Sequence, residues 1–507
     1  MVSGVLMGAA FQPWHVEFLI LVGLVPLFIA LELAAADSAS PLRGAFRAGF
    51  AFGMAYFGVM AHWILFLTSN QLPHQTVMIP LFLILAAYLA LYPALFALAL
   101  VACARRTRIP AAILAPPLWV ASEWLRASGE MGFPWGDAGY ALTTHLPLLQ
   151  SAAWVGVPGL SLLAVIANVA VRHALAARAR ARFVPLGAVA ALLVALFALG
   201  SARLAANPPA ANPSFTVAVL QPNIEQSLKW DWESLDKSVD AIARLSRRIS
   251  FESVDLAVWP ETAIPAYLRE QESYARIVRE IVAQTGAPTL LGFPDSEVHG
   301  DERLYFNSAL FILPDGTDGG DYRKMHLVPF GESLPFQGIL PALRKVDFGE
   351  ADFTPGTEKT LFTAGASRFG VAICFEAIFP PMTRDLVLRG AEMIVTITND
   401  AWYGRSSAAW QHARMSLVRS VEDGVHQIRS ANTGISFVSD PFGRVLGETG
   451  LFVEDMLTVA IEPKRVPTFY LRFGDLCLYA VLAATVFALA SALLPIPYVS
   501  VKSRHAK

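Results

Sequence analysis

The chain has 507 residues, 55% of them hydrophobic and only 16% charged, with a net charge of −2 and a mean hydropathy of +0.48. Soluble domains carry about 25% charged residues, so this is the composition of a membrane protein. The slight negative charge argues against nucleic acid as a partner. The apolar residues are unevenly placed, however. Residues 1–205 and 469–497 are mostly apolar, whereas 206–468 hold most of the charge. That middle segment, about 250 residues, is long enough for one complete core.

Seven apolar stretches precede it, near 1–12, 15–36, 46–67, 77–103, 110–127, 146–171 and 183–203. An eighth lies near 470–495. Most reach the roughly 20 residues needed to cross a bilayer. The first is short and reads as a partial span or one truncated at its start. It lacks a basic leading region and a clear small-residue cleavage site, so no cleaved signal peptide is expected. Lys and Arg alternate between the loops. Arg43 and Arg47, then Arg105, Arg106 and Arg108, then Arg172, Arg178, Arg180 and Arg182 flank alternate connections, and the tail at 498–507 carries Lys502, Arg504 and Lys507. Segments 68–76 and 128–145 contain neither residue type. The positive-inside rule therefore puts the basic loops and both termini in the cytoplasm. The segment 206–468 then faces outward, into the periplasm of a bacterium. An enzyme there has no ATP, so its acyl donor must already be activated or be a lipid. Glu32 and Glu123 read as span-end carboxylates, with Arg126 placed to pair with Glu123 one turn on. The Gly- and aromatic-rich loop 129–142 reads as an interfacial belt or a substrate entry.

Beyond the Pro/Asn linker at 207–214, short apolar strands alternate with amphipathic helices. Strands are expected at 215–223, 254–261, 288–294, 305–316, 368–374 and 392–400. Helices are expected at 234–250, 272–286, 379–391 and 411–424, and 425–446 reads as two strands and a turn. Such alternation predicts an α/β domain whose helices cover a buried sheet. Catalytic groups in such domains gather on the loops at strand ends.

Three strand ends carry reactive residues. Glu261 follows Pro260 in VWPETAIP; Lys324, His326 and Glu332 lie in DYRKMHLVPFGESLP; Cys374 and Glu376 lie in AICFEAIFP. Cys103 and Cys477 fall inside apolar stretches, which leaves Cys374 as the one thiol of the polar segment. A thiol is mostly protonated at neutral pH. A carboxylate can take its proton, and a cation is then needed to favour the thiolate and stabilise a developing oxyanion. Taken singly, Cys374 reads equally as a buried structural cysteine, Glu261 as a helix-start carboxylate and Lys324 as a surface lysine. His326 reads as a structural partner rather than a catalyst. Asn399, Asp400 and Trp402 in TNDAWYG either shape a pocket or only make a turn.

The order Glu, Lys, Cys within WPE, RK.HLVPFGE and a strand–Cys–x–Glu turn resembles the nitrilase superfamily of carbon–nitrogen hydrolases. With seven stretches before and one after, the chain is similar over its whole length to the apolipoprotein N-acyltransferase family of the bacterial inner membrane. The resemblance implies a polytopic helical membrane part joined to a nitrilase-like α-β-β-α sandwich. It implies Glu261 as general base, Lys324 as oxyanion partner and Cys374 as nucleophile. Glu332, Glu376 and Trp230 match further residues of the family site. Phe375 stands where the family commonly has Tyr. The implied reaction is acyl transfer from a membrane phospholipid, through a cysteine thioester, to the N-terminal amine of a diacylglyceryl-apolipoprotein. Neither a cofactor nor a metal is implied, and a monomer is expected. A membrane-anchored amidase or nitrilase would use the same three residues with water in place of the amine. A transporter with a sensor domain is disfavoured, because the apolar stretches carry little charge.

Overall fold

The structure is a computed structural model that describes residues 1–37, 39–67, 75–176, 180–225, 232–249, 253–300, 302–336 and 353–493. Trp230 and the 498–507 tail lie outside the described residues, as do residues 68–74.

Among the described residues, five helices are long and apolar enough to cross a membrane: Glu17–Ala36, Met78–Arg106, Ala152–Ala176, Phe183–Ala206 and Leu476–Leu493. The other three expected stretches give shorter or more polar helices. Val2–Ala9 has 8 residues, a rise of about 12 Å. Pro41–Met60 carries Arg43 and Arg47, and Ala111–Ala127 has 17 residues. Several stretches are also broken. A 3-10 turn at Glu17–Leu21 precedes Val25–Ala36, and Gly156, at φ 62°, kinks the helix Ala152–Ala176.

Among the described residues, 215–461 carry two six-stranded sheets with helices between the strands. The strands are β1 (Phe215–Gln221), β2 (Leu256–Val258), β3 (Thr289–His299), β4 (Glu302–Ile312), β5 (Asp318–Arg323), β6 (Leu361–Ala364), β7 (Ser367–Ile373), β8 (Met393–Thr398), β9 (His426–Ala431), β10 (Phe437–Ser439), β11 (Val445–Glu448) and β12 (Asp455–Ile461). Their orders are β12-β1-β2-β3-β4-β5 and β11-β10-β9-β8-β7-β6. Strand periodicity of two sorts the side chains between layers. Val217 and Val219 of β1 meet Val371 and Ile373 of β7 in the core between the sheets. Ala218 and Leu220 face the other way, onto the helices Trp232–Ile249 and Glu272–Thr285. Ala372 faces Leu386 and Val387 of the helix Pro380–Leu388. The result is an α-β-β-α sandwich.

Residues 425–446 belong to three strands rather than two, because the turn closed between Asp440 and Arg444 folds β11 back on β10. Strands β5, β6 and β12 were not expected at all. β5 reads DGGDYR, a turn composition, and β12 finds its partner β1 more than 200 residues away. β3 and β4 also run beyond their buried parts as a hairpin, Ser296–His299 against Glu302–Tyr305, held by its ladder rather than by full burial.

The two parts of the chain share a core. Phe375, Ile378, Ala408, Met415, Val418 and Val421 pack with the membrane helices in a single cluster. The helix Ser407–Asp423 lies between sheet and bundle. The 129–142 loop is folded inward, so the belt reading fails for its central tryptophan. Trp135 is 1% exposed, donates to Gln411 Oε1 at 2.7 Å and lies against the His412 ring, 5.5 Å between centroids. Glu123 is likewise buried. Trp119 and the Ala138 N–H donate to it, each at 2.8 Å, while Arg126 pairs with Asp137 instead. Glu32 stays exposed and pairs with Arg172.

Candidate active site

Three strand ends, those of β2, β5 and β7, build the site. Glu261 follows β2, held by the close approach of β3: a Cβ on Gly292 would lie 2.6 Å from the Glu261 Cα, so only glycine fits. Thr262 beside it has φ 49°, a strained value for a β-branched residue. Lys324 follows β5, its N–H donating to the Asn307 carbonyl of β4 at 2.8 Å. Cys374 follows β7 and opens a 3-10 turn, Cys374–Ile378, with φ 52°. A non-glycine residue in that region costs of order 1–3 kcal/mol, which the surrounding contacts must offset.

The charged groups converge. Lys324 Nζ lies 2.8 Å from Glu332 Oε1 and 3.6 Å from Glu261 Oε1. Asn307 Nδ2 bridges the same two carboxylates, donating at 2.7 Å to Glu261 and 2.9 Å to Glu332. The Asn399 N–H donates to Glu261 Oε2 at 2.7 Å, and the Val328 N–H to Glu332 Oε2 at 2.8 Å. These bonds fix the direction of both carboxylates. Glu376 ties the loops together. Its Oε1 accepts from the Tyr322 hydroxyl and the N–H groups of Met325 and His326, and its Oε2 from the Ile373 N–H. The Lys324 and Cys374 loops are thus joined through one buried side chain.

Lys324, Glu261 and Cys374 are all buried. Burial alone would lower the Lys324 pKa, but the Glu332 and Glu261 carboxylates outweigh it and hold the ammonium charged. Burial pushes the Cys374 thiol up, and the Glu261 charge pushes it further; Lys324 and a Thr398 hydrogen bond oppose them. The resting group is therefore a thiol beside a carboxylate and a cation. A thiol in that setting can lose its proton to the carboxylate as it attacks an electrophile.

The expected neighbours take varied places. Phe375 is buried edge-on against Phe379, with ring centroids 5.1 Å apart. His326 packs on the same Phe379, at 3.9 Å. Asn399 accepts from Asn432 at 2.9 Å. Trp402 is half-buried in the 3-10 turn Asp400–Tyr403. Sequence reasoning missed Asn307, Thr398, His412 and Arg429. The available signal was a polar residue inside a run otherwise buried in its element, as in YFNSALF and VHQIRSA. Among the described residues no group of three or more His, Cys, Asp or Glu side chains could hold a metal ion.

Residues 3–170 match the apolipoprotein N-acyltransferase N-terminal domain, and 216–469 match the carbon–nitrogen hydrolase family. An apolipoprotein N-acyltransferase of Geobacter metallireducens is 38% identical over 499 residues, 96% of this chain and 94% of that protein. One from Rhodopseudomonas palustris is 33% identical, over 96% and 93%. A solved amidase from Nesterenkonia sp. overlays 54% of this chain and 98% of its own at 18% identity and a TM-score of 0.41. Matched in both its parts and over nearly its full length, this membrane protein belongs to the apolipoprotein N-acyltransferase family.

Proposed function

We propose that this chain acylates the N-terminal amine of apolipoproteins, taking the acyl group from a membrane phospholipid by a two-step route through Cys374. Its substrates on this reading are the phospholipid donor and a diacylglyceryl-apolipoprotein acceptor. In the first step Glu261 takes the thiol proton as sulfur attacks a phospholipid ester carbonyl. The oxyanion faces Lys324 and the backbone N–H of Phe375. Collapse expels the lysophospholipid alkoxide, which recovers the proton from Glu261, and a thioester remains on Cys374. In the second step the lipoprotein α-amine attacks the thioester and Glu261 takes its proton. An amide forms, and the departing thiolate is reprotonated. Glu332 and Glu376 hold the Lys324 and Cys374 loops in register. Trp230, Asn399 and Trp402 are proposed to line the substrate path.

The Lys/Arg alternation supports an inner-membrane protein with 206–468 in the periplasm, a helical bundle at 1–205, a closing span at 469–497 and both termini in the cytoplasm. A lipid donor fits that placement. The observation that carries the reading is the meeting of Glu261, Lys324 and Cys374 in one buried site whose walls share a core with the membrane helices.

Mass spectrometry of the purified chain tests it. A fatty acyl adduct on Cys374, released by neutral hydroxylamine, is expected. Cys374→Ala should insert normally and acylate nothing, and Cys374→Ser should be nearly as inactive. Continued lipoprotein acylation by Cys374→Ala would overturn the assignment. Hydrolysis of a small amide with no acyl adduct would favour the amidase reading.

A further inference from the structure

His412 lies outside the set of charged groups just described, yet it touches the nucleophile's backbone. Its Nε2 is 3.2 Å from the Cys374 carbonyl oxygen. A carbonyl only accepts, so Nε2 carries the hydrogen. The ring is fully buried and gripped on every side. Its Nδ1 lies 3.1 Å from Asp400 Oδ1 and 3.1 Å from Arg429 Nη2. Arg429 Nη2 also donates to Asp400 Oδ2 at 2.8 Å, and the Thr398 hydroxyl donates to Asp400 Oδ1 at 3.0 Å. Trp135 covers one face of the imidazole. Burial, then the Arg429 charge, lower the His412 pKa and favour the neutral ring. A neutral ring donating from Nε2 has Nδ1 free to accept from Arg429.

The Cys374 carbonyl and the Phe375 N–H belong to one peptide unit. That unit is planar and trans, so its C=O and N–H point in opposite directions. Cys374 and Phe375 also open the 3-10 turn, whose first N–H groups have no partner inside the turn. Fixing the carbonyl therefore aims the N–H. A hydrogen bond to the carbonyl also polarises the N–H at the other end.

We propose that His412 is a positioning residue: held at Nδ1 by Arg429, which Asp400 fixes in turn, it anchors the Cys374–Phe375 peptide so that the Phe375 N–H serves as the second oxyanion donor beside Lys324. This rests on the reading of Cys374 as the acyl-carrying nucleophile.

Two variants separate the ring's two contacts. In His412→Gln the side-chain amide nitrogen occupies the place of Nε2 and keeps the donor to Cys374. In His412→Asn it occupies the place of Nδ1 and loses that donor. The full chain in detergent is mixed with phosphatidylethanolamine bearing a fluorescent acyl group, and the hydroxylamine-labile label on Cys374 is timed. Alkylation of Cys374 by iodoacetamide is timed in parallel at alkaline pH. Alkylation needs the thiolate but builds no oxyanion. Losing an oxyanion donor outright costs about 10²–10³-fold in rate, so losing only its aim should slow acylation by about 10- to 100-fold in His412→Asn. His412→Gln should recover most of that loss, and alkylation should stay within about threefold of wild type in both variants. A merely structural histidine would slow both reactions together, and that result overturns the proposal. So does an Asn variant that acylates like wild type, or a Gln variant no faster than Asn. Failure of the wild-type chain to take the label would instead refute the nucleophile reading, and this proposal with it.

Discussion

Removing Lys324 should do two separable kinds of damage. At an effective dielectric of about 20, the ammonium attracts Glu332 at 2.8 Å by about 6 kcal/mol and Glu261 at 3.6 Å by about 5 kcal/mol. Much of that offsets the cost of burying the three charges, so the net loss in Lys324→Met is expected at about 3–5 kcal/mol. The loss arises because two buried carboxylates are left sharing Asn307. Adding Glu332→Gln removes one of them and should restore about 2 kcal/mol relative to Lys324→Met. The double variant still lacks the oxyanion cation, so acylation should stay at least a hundredfold below wild type. The fraction of detergent-solubilised protein that survives a heating series, read by size-exclusion, ranks the stabilities; the hydroxylamine-labile adduct reads the chemistry. Lys324→Met should be the least stable of the set. A double variant less stable than Lys324→Met would show that the ammonium does not offset carboxylate repulsion. A double variant that acylates within tenfold of wild type would remove Lys324 from the oxyanion site.

The Cys374 thiol pKa is raised, so less thiolate is present at neutral pH than for an ordinary cysteine. Iodoacetamide alkylation should climb about tenfold per pH unit through the alkaline range, and a plateau already near neutrality would contradict the burial argument. A Cβ on Gly434 would lie 2.1 Å from Asp400 Oδ2, so Gly434→Ala should expel Asp400 from its Arg429 and His412 contacts. A loss of about 3–5 kcal/mol should follow, seen as early aggregation on heating. Gly292→Ala pushes on the Glu261 backbone and should slow acylation about a hundredfold with little change in phospholipid affinity. Phe375→Tyr should leave acylation within about threefold, since the ring's contacts to Phe379 and His326 are apolar; a tenfold gain would show that a hydroxyl there does more than pack.

Which parts of this molecule were legible in advance follows from how far apart the interacting residues lie. β1, β7 and β8 declared themselves as apolar runs because both faces are buried, Val217 and Val219 inward and Ala218 and Leu220 outward. The helix Glu272–Thr285 announced its end through Gly286, which adopts φ 67°. β12 could not be read this way, since its register is set by β1 across the whole domain. In the candidate site, residues next to turns and prolines stood out in the sequence: Glu261, Lys324, Glu332, Cys374 and Glu376. Asn307, His412 and Arg429 did not, because each lies within a strand or helix and acts through partners distant in sequence. Only the folded chain brings Asn307 between Glu261 and Glu332.

The inward turn of the 129–142 loop gives the membrane part a share in the chemistry. Trp135 both bonds Gln411 and covers His412, and Gln411 Nε2 donates to the carbonyls of Gln12 at 3.1 Å and Met60 at 3.4 Å. Gln411 and His412 are consecutive on one helix. A shift of the bundle against the sandwich would therefore reach His412 through its neighbour, and from there the Cys374 carbonyl. The apolar cluster argues the same way. Phe375 and Ile378 of the Cys374 turn belong to the same buried cluster as Trp63, Trp135 and Leu149. On the proposed reading both substrates arrive within a lipid layer, and Cys374 must then stand in register with that layer. A rigid, shared core supplies such a register, where a flexible tether between separate domains would not.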